Sequence, residues 1–262
     1  MRLRHLHLPG LTSYTHASRL QDILVASLLA HKYPEPAPAN PSSSSSVSKT
    51  PSSSPAPDPT IITAQFHPVY TCGRREVNTV SEEQKAYLRS TGAEFHPALR
   101  GGQTTFHGPG QLIAYPILDL RRHGLSPRNH VCLLEKTLIA TCARYGIQGF
   151  TTENPGVWVS DEKKIAALGV HVRRGMTSHG VGLNVNTDLD WFKHIVACGL
   201  VGKSTTNFRS EGVEGVEVES VGEGFVEEIA RRLEGVEGVV GVSEAEVLRE
   251  AEDMGVGIEV RM

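Results

Sequence analysis

The chain has 262 residues, which is enough for one large domain or two small ones. Its net charge of −3 lacks the basic excess of nucleic-acid-binding proteins, and it has no apolar run long enough to span a membrane. The four cysteines show neither CxxC pairs nor zinc-ligand spacing, which favours free thiols in a reducing compartment over disulfides or a metal site. They are Cys72, Cys132, Cys142 and Cys198.

The first 21 residues contain Arg2, Arg4 and Arg19 but no acidic residue, a pattern typical of a mitochondrial presequence. The alternative is that these residues already belong to the fold. Residues 12–31 favour this alternative because they predict a helix that Ser13 or Thr12 can cap. The apolar face of that helix recurs every three to four residues. It consists of Ala17, Leu20, Leu24 and Leu28.

Residues 34–60 consist almost entirely of Pro, Ser and Ala. Such a composition cannot bury enough apolar surface to offset the entropy of ordering, so we expect a disordered insertion. The segments before and after it look folded. We therefore expect one folded domain over residues 1–262, interrupted by an insertion that loops away from the fold.

Regular elements resume after the insertion. Residues 61–75 predict a strand and its exit loop, and residues 111–120 predict a buried strand. A helix begins after Ser126, with Pro127 in its first turn, and ends at Gly146. Its predicted inner face consists of Val131, Leu134, Leu138, Cys142 and Tyr145. Cys132 and Cys142 are expected on this helix as small core residues.

Three strand-like segments follow at 156–160, 164–174 and 178–186, and their spacing suggests antiparallel hairpins. The third alternates Val181, Leu183 and Val185, so we expect it to be half-buried. The rest predicts a short helix over 188–195, a strand near 216–220, and helices near 222–234 and 243–254. Without βαβ regularity, this order predicts an α+β fold, a mixed sheet with helices packed on one face.

Residues 100–111, "RGGQTTFHGPGQ", place Arg100 and His107 beside glycines, whose backbone can approach a ligand closely. The loop matches no nucleotide-binding glycine motif, and a simple tight turn is the alternative. A reactive thiol needs a nearby cation, and spacing alone leaves Cys72 and Cys198 both open. One lysine of the pair Lys163–Lys164 must point inward, where a lysine of lowered pKa can pair with a thiolate. For His179 a structural role is the default.

The combination of motifs is recognisable as a whole. Four motifs follow one another along the chain: "RGGQTTFHGPGQLIAYPILDL", "NPGVWV", "KIAALGVHVRRGMTSHGVGLNVNTDLDWFKHIVACGL" and "GKSTTN". Together they resemble the lipoate-protein-octanoyl transferases, over about residues 61–209 and more weakly over 3–31 and the tail. Two departures are Ala197, where the family commonly has Pro, and the segment "GMTSHG". The Pro/Ser insertion is foreign to the bacterial pattern and suggests a eukaryotic source.

The resemblance implies a fold similar to the biotin and lipoate protein ligases. It assigns the acyl-carrying cysteine of "ACGL" to Cys198, and it assigns the lysine that lowers the pKa of this cysteine to Lys164. It also implies three acyl-binding segments. These are Arg100, Gly101, Gly102, Gln103, Thr104, Thr105, Phe106 and His107; Ala167, Leu168 and Gly169; and Gly180, Val181 and Gly182.

The implied reaction moves octanoyl from octanoyl-acyl carrier protein to Cys198, and then to a lysine of a lipoyl domain or glycine-cleavage H protein. It requires no cofactor, metal, nucleic acid or membrane, and a monomer is expected. Acyl carrier proteins are acidic, and the complementary patch could consist of Arg74, Arg75, Arg173 and Arg174. The family's usual role implies mitochondria, with the cytoplasm as the other location. Three alternatives stay open: an ATP-dependent lipoate or biotin ligase, a non-catalytic carrier-binding module, and a Cys–His hydrolase.

Overall fold

A computed structural model describes residues 1–34, 56–196 and 202–257. The insertion predicted at 34–60 therefore lies largely outside the described residues, as does Cys198. The described strands are β1 (Arg2–Thr12), β2 (Thr60–Phe66), β3 (Val69–Cys72), β4 (Glu94–Pro97), β5 (Thr105–His107), β6 (Gln111–Ile117), β7 (Val157–Trp158), β8 (Lys163–Arg173), β9 (Met176–Asn184), β10 (Ser204–Thr205) and β11 (Gly238–Gly241). The helices are α1 (Tyr14–Lys32), α2 (Glu82–Ser90), α3 (Pro127–Ala143), α4 (Val218–Ala230) and α5 (Glu244–Asp253).

The larger sheet has the strand order β10-β8-β9-β6-β2-β1-β11, with β7 paired to β8. Its pairs β2–β6, β6–β9 and β8–β9 are antiparallel, whereas β1 runs parallel to both β2 and β11. This mixed sheet confirms the predicted α+β class and the predicted antiparallel hairpins. A second sheet, β4-β3-β5, carries the glycine loop at one edge.

Helices cover both faces of the larger sheet. Ile61 packs in one core with α3 and α4, while the next residue, Ile62, packs in a second core with α1 and α5. Successive residues of a strand point to opposite faces, so both faces are buried. The prediction of helices on one face was therefore wrong. For the same reason β9, expected to be half-buried, is buried along its whole length.

Capping side chains define the helix starts. Ser13 accepts a hydrogen bond from the backbone N–H of His16, and Ser126 accepts one from Asn129, so both predicted N-termini are confirmed. All four predicted face residues of α1 are buried. On α3, Leu134, Leu138 and Cys142 are buried and Val131 is half-buried, whereas Tyr145, predicted on the same face, is half-buried just after the helix ends. Cys132 is exposed, so its predicted core position was wrong.

Several elements differ from the sequence predictions. Residues 2–12 form β1, so the arginine-containing N-terminal segment belongs to the sheet. The predicted strand and exit loop at 61–75 is two strands, β2 and β3, in different sheets. The strand expected near 216–220 is the start of α4, and the strand of this region is β11. Within the described part of the chain, no helix is both long and apolar enough to cross a membrane.

The glycine loop lies directly on the larger sheet. The backbone N–H of Gly101 donates to the carbonyl of Val170 on β8 at 3.0 Å. On its other side, a Cβ at Gly73 would lie only 2.0 Å from the carbonyl oxygen of Gly102, so this approach requires glycine. The two sheets thus meet at this loop, and a cleft opens between them.

Candidate functional site

The cleft has two adjoining chambers, which share Thr105, His107, Ala167 and Gly182 as a common wall. We name them by their charged residues. The lysine chamber is also lined by Gln111, Trp158, Lys164, Ala166, Asn184, Phe192, Lys203, Ser204 and Thr205. The arginine chamber is also lined by Arg100, Gly102, Gln103, Tyr115, Leu168, Gly169, His179, Gly180 and Val181.

Lys164 is the inward-pointing member of the lysine pair. Lys163 is exposed, whereas Lys164 retains 7% exposure at the start of β8. The Lys164 Nζ donates a hydrogen bond to the carbonyl oxygen of Pro155 at 3.1 Å and lies 4.6 Å from the centroid of the Trp158 ring. A buried cation is therefore held at one end of the cleft.

Arg100 organises the glycine loop. Its guanidinium donates to the carbonyl and hydroxyl oxygens of Thr71 at 2.7 and 2.8 Å. It also donates to the carbonyl oxygens of Gly101 and Gln103 at 3.0 Å each. The side chain is buried, so these contacts compensate its charge and fasten the loop to the end of β3.

His107 begins a chain of buried hydrogen bonds behind the common wall. Its Nδ1–H donates to Gln111 Oε1 at 2.7 Å, and Gln111 Nε2 donates to Asn184 Oδ1 at 2.8 Å. Asn184 in turn donates to the carbonyl of Thr206 at 3.0 Å. Burial, aided by the charge of Arg100, lowers the pKa of His107 to about 4. The imidazole is therefore neutral at pH 7, with its lone pair on Nε2.

His179 and Tyr115 form the far wall of the arginine chamber, with their ring centroids 5.5 Å apart. Burial, together with the charge of Arg100, lowers the pKa of His179 to about 3, and burial raises that of Tyr115. Both side chains are therefore uncharged at pH 7. Since the charge of Arg100 is turned toward the loop carbonyls, this chamber suits an uncharged, largely apolar group.

Eleven of the fourteen predicted acyl-binding residues line the two chambers. The other three, Gly101, Thr104 and Phe106, anchor the loop to its surroundings, Gly101 through its hydrogen bond to Val170. Thr104 donates both its N–H and its hydroxyl to the Glu76 carboxylate, and Phe106 is stacked on Trp191.

The residues that the sequence predictions missed include Trp158, Tyr115, Gln111 and Asn184. Each lies on a strand, where the sequence pattern does not distinguish a residue that lines the cleft from an ordinary buried residue. Lys203, Ser204 and Thr205 also line the lysine chamber. The motif "GKSTTN" contains them, and that motif was the signal that could have identified them.

The candidate nucleophile Cys198 lies outside the described residues. Its alternative, Cys72, ends β3 with 1% exposure, and burial raises the pKa of its thiol. Burial raises the pKa of Cys142 to about 12. Cys132 is exposed on α3, and no cysteine is found among the described residues that line the cleft. The two buried thiols are poor nucleophiles because the thiolate is the reactive form.

Known proteins resemble this chain over most of its length. The family model of the lipoyl protein ligase A/B catalytic domain matches residues 49–230. A Schizosaccharomyces pombe protein named "Probable octanoyltransferase" is 56% identical over 59% of this chain and 69% of its own length. The mitochondrial octanoyl-acyl-carrier-protein:protein N-octanoyltransferase of Homo sapiens is 48% identical over 59% of this chain and 67% of its own. The mitochondrial octanoyltransferase of Arabidopsis thaliana is 36% identical over 77% of this chain and 76% of its own length.

Solved structures support the fold. A lipoate-protein ligase A bound with ATP superposes with a TM-score of 0.65, covering 100% of this chain and 97% of its own, at 13% identity. P. falciparum LipL1 in complex with lipoate superposes with a TM-score of 0.61, covering 99% of this chain and 75% of its own, at 12% identity. At such identities the likeness shows the fold alone. By its sequence, the chain belongs to the family of the lipoyl protein ligase A/B catalytic domain, and within it to the octanoyltransferases.

Proposed function

We propose that this protein transfers octanoyl from octanoyl-acyl carrier protein to a lysine of a lipoyl-dependent protein, through a thioester on Cys198. The carrying observation is the buried cation of Lys164 at the end of a glycine-walled cleft that suits an apolar chain. The names of the human and Arabidopsis relatives support the octanoyl substrate. The octanoyl chain would occupy the arginine chamber, with its carbonyl at the common wall.

The flanks of the Cys198 segment support the choice of nucleophile. Phe192, before the segment, and Lys203, after it, both line the lysine chamber. Thr205 pairs with Lys164 in the register of β10 and β8. Described residues on both sides of this segment therefore line the same chamber as Lys164.

In the proposed first step, the Cys198 thiolate attacks the carbonyl of the carrier thioester, the carrier's C–S bond breaks, and the carrier leaves as its thiolate. The exchange of one thioester for another is close to thermoneutral, so it requires no ATP. The Lys164 ammonium favours the thiolate form, and a thiol pKa lowered from about 8.5 to near 7 raises the thiolate fraction roughly tenfold at neutral pH.

In the second step, the neutral amine of the acceptor lysine attacks the acyl-enzyme carbonyl. The C–S bond breaks, an amide forms, and the proton lost by the amine moves to the thiolate by way of Lys164. Backbone N–H groups of the glycine segments are the candidate oxyanion donors, each worth about 3 kcal/mol. The acceptor is a lipoyl domain or the glycine-cleavage H protein.

The carrier protein would dock on the exposed arginines at the loop side of the cleft. Arg74 and Arg173 both help to lower the pKa of the half-buried His171, after the larger effect of its burial, so both guanidiniums act on the same side chain. Arg75 and Arg174 flank them in sequence and are exposed. Such a patch complements an acidic carrier and would raise its association rate.

We also propose a single catalytic domain, a monomer and a mitochondrial location. The pairing of β1 with both β2 and β11 supports one domain, because it joins the two described ends of the chain. Several relatives are named mitochondrial, which supports that location. Light scattering would test the monomer, and imaging of the tagged protein in cells would test the location.

The reaction class is tested by ATP dependence. Octanoyl-acyl carrier protein and an apo lipoyl domain are mixed with the protein without nucleotide, and the domain is weighed by mass spectrometry. The proposal expects octanoylation in wild type and its loss in Lys164→Met. Transfer from free octanoate that requires ATP would instead identify a ligase. Release of free octanoate without acylation of the domain would identify a hydrolase.

A further inference from the structure

The turn from Asn154 to Trp158 closes over the Lys164 side chain. The Pro155 carbonyl oxygen accepts a hydrogen bond from Lys164 Nζ at 3.1 Å, and the Trp158 ring centroid lies 4.6 Å from the same atom. A carbonyl oxygen and an aromatic face both attract a cation, yet neither carries a net charge. This pair of contacts therefore favours the ammonium form without neutralising it.

The turn fits closely along the lysine stem. A Cβ at Gly156 would lie 3.1 Å from Lys164 Cε and 2.7 Å from the carbonyl oxygen of Ala166. Gly156 also has a φ of 136°, which L side chains rarely adopt. Only glycine at this position lets the turn approach the methylene groups of Lys164 so closely.

The turn is itself held in place from two sides. The Trp158 indole N–H donates to the carbonyl of Asn154 at 3.0 Å, and the ring is 1% exposed. The Gly156 N–H donates to Glu135 Oε1 on α3 at 3.1 Å. The position of the turn is therefore tied to the helix behind the sheet.

We propose that Trp158 and Glu135 are positioning residues for Lys164: the Trp158 ring and the Pro155 carbonyl hold its ammonium at the cleft, and Glu135 fixes the turn that carries both. This inference rests on the proposed role of Lys164 in acyl transfer. We call this pair of uncharged contacts, the Trp158 ring and the Pro155 carbonyl, the cradle of Lys164.

The direct test is competitive acetylation of lysines with trace acetic anhydride over a range of pH, read by peptide mass spectrometry. Lys163, exposed and adjacent, is the internal reference. In Trp158→Leu, the pH of half-maximal labelling of Lys164 should fall by about one unit. If the variant only made Lys164 more accessible to acetic anhydride, its labelling rate would rise by the same factor at every pH and the midpoint would not move. Trp158→Phe, which keeps an aromatic face, should retain most of the wild-type midpoint.

Glu135 provides an independent pair of variants. Glu135→Gln keeps an oxygen acceptor for the Gly156 N–H and should leave the labelling midpoint of Lys164 unchanged. Glu135→Met removes the acceptor and should shift the midpoint in the same direction as Trp158→Leu. The matched control is Glu153→Gln, which removes an exposed charge from the neighbouring loop and should change nothing.

Octanoyl transfer measured on the same preparations separates this inference from the proposed function. Because Trp158→Leu loosens the placement of the Lys164 ammonium at the cleft, it should lower kcat about tenfold at neutral pH, with KM for the acyl carrier unchanged. If the pH of half-maximal Lys164 labelling shifts in Trp158→Leu but the wild type transfers no octanoyl, the cradle is supported and the proposed function is overturned. Two results would overturn the proposed cradle while the wild type still transfers octanoyl. One is the same pH of half-maximal Lys164 labelling in wild type and Trp158→Leu. The other is a shift of this pH in Trp158→Phe as large as that in Trp158→Leu.

Discussion

His130 lies in the first turn of α3 and is fully buried. Neither of its ring nitrogens has a hydrogen-bond partner among the described residues. A buried polar atom without a partner costs about 1–3 kcal/mol, and leucine has a similar volume. We therefore predict that His130→Leu raises the free energy of unfolding at pH 7 by about 1–2 kcal/mol, after allowance for imperfect packing.

The stability gained by His130→Leu over wild type should be larger at acidic pH. Burial, with a smaller effect of His123, lowers the pKa of His130 from 6.5 to about 4. Between these values the unfolded chain binds a proton that the folded protein excludes, so stability is lost as the pH falls through this window. At pH 5 the loss amounts to about 2 kcal/mol, and a leucine does not incur it. The variant's advantage should therefore be about 2 kcal/mol larger at pH 5 than at pH 7.

Urea unfolding at pH 7 and pH 5, followed by tryptophan fluorescence, measures both quantities. The matched control is His67→Leu, at an exposed histidine, for which the difference from wild type should be the same at the two pH values. If the difference between His130→Leu and wild type also stayed constant, the histidine would not be held neutral by burial. The reasoning about the unpartnered ring would then fail.

Three further predictions concern the cleft. Gln111→Leu removes the hydrogen-bond partner of two buried atoms, His107 Nδ1 and Asn184 Oδ1, and should lower the free energy of unfolding, measured in urea, by about 2–4 kcal/mol; an unchanged urea midpoint would contradict the network. Gly180→Ala places a Cβ 2.2 Å from a β6 carbonyl and should cost at least about 3 kcal/mol, whereas Gly238→Ala, with open space, should be tolerated. Reversing Arg173 and Arg174 to Glu should raise KM for octanoyl-acyl carrier protein at least about tenfold but not KM for octanoyl-pantetheine; equal kinetics with the intact carrier would remove the docking patch.

The sequence predicted best where local signals and burial agree. Ser13 and Ser126 cap their helices, and the apolar faces behind them are buried, because capping and 3.6-residue periodicity are local properties. The hairpin of β8 and β9 was predicted for the same reason. Its burial was not, because the alternating Val181 and Leu183 gave no sign that helices cover both faces of the sheet.

In the tail, the helices predicted near 222–234 and 243–254 correspond to α4 and α5, but the strand predicted near 216–220 was wrong because the repeats of Gly, Val and Glu have no clear period. Two glycines lie within α4, where intrinsic propensity disfavours them. A Cβ at Gly222 would lie 3.2 Å from Leu112 Cδ1, and one at Gly224 would lie 3.1 Å from Arg144 Nη1. Close packing against the buried Leu112 explains Gly222, and such packing is invisible to a local pattern.

The sequence also indicated some residues of the candidate site but not others. The residue types beside Gly101 and Gly102 indicated a ligand loop, but residues alone left Lys163 and Lys164 equivalent; the resemblance chose Lys164, and it is the buried one of the pair. Trp158 could not be predicted, because its contact with Lys164 depends on the register of β7 against β8.

The central claim is an octanoyl thioester on Cys198, and intact-protein mass spectrometry after mixing with octanoyl-acyl carrier protein tests it most directly. Wild type should gain one hydroxylamine-sensitive octanoyl group, about 126 Da, and Cys198→Ser should gain no such thioester. An unmodified wild-type protein beside an intact carrier thioester would contradict the account. So would the same hydroxylamine-sensitive thioester on Cys198→Ser, because the acyl group would then be carried by another cysteine.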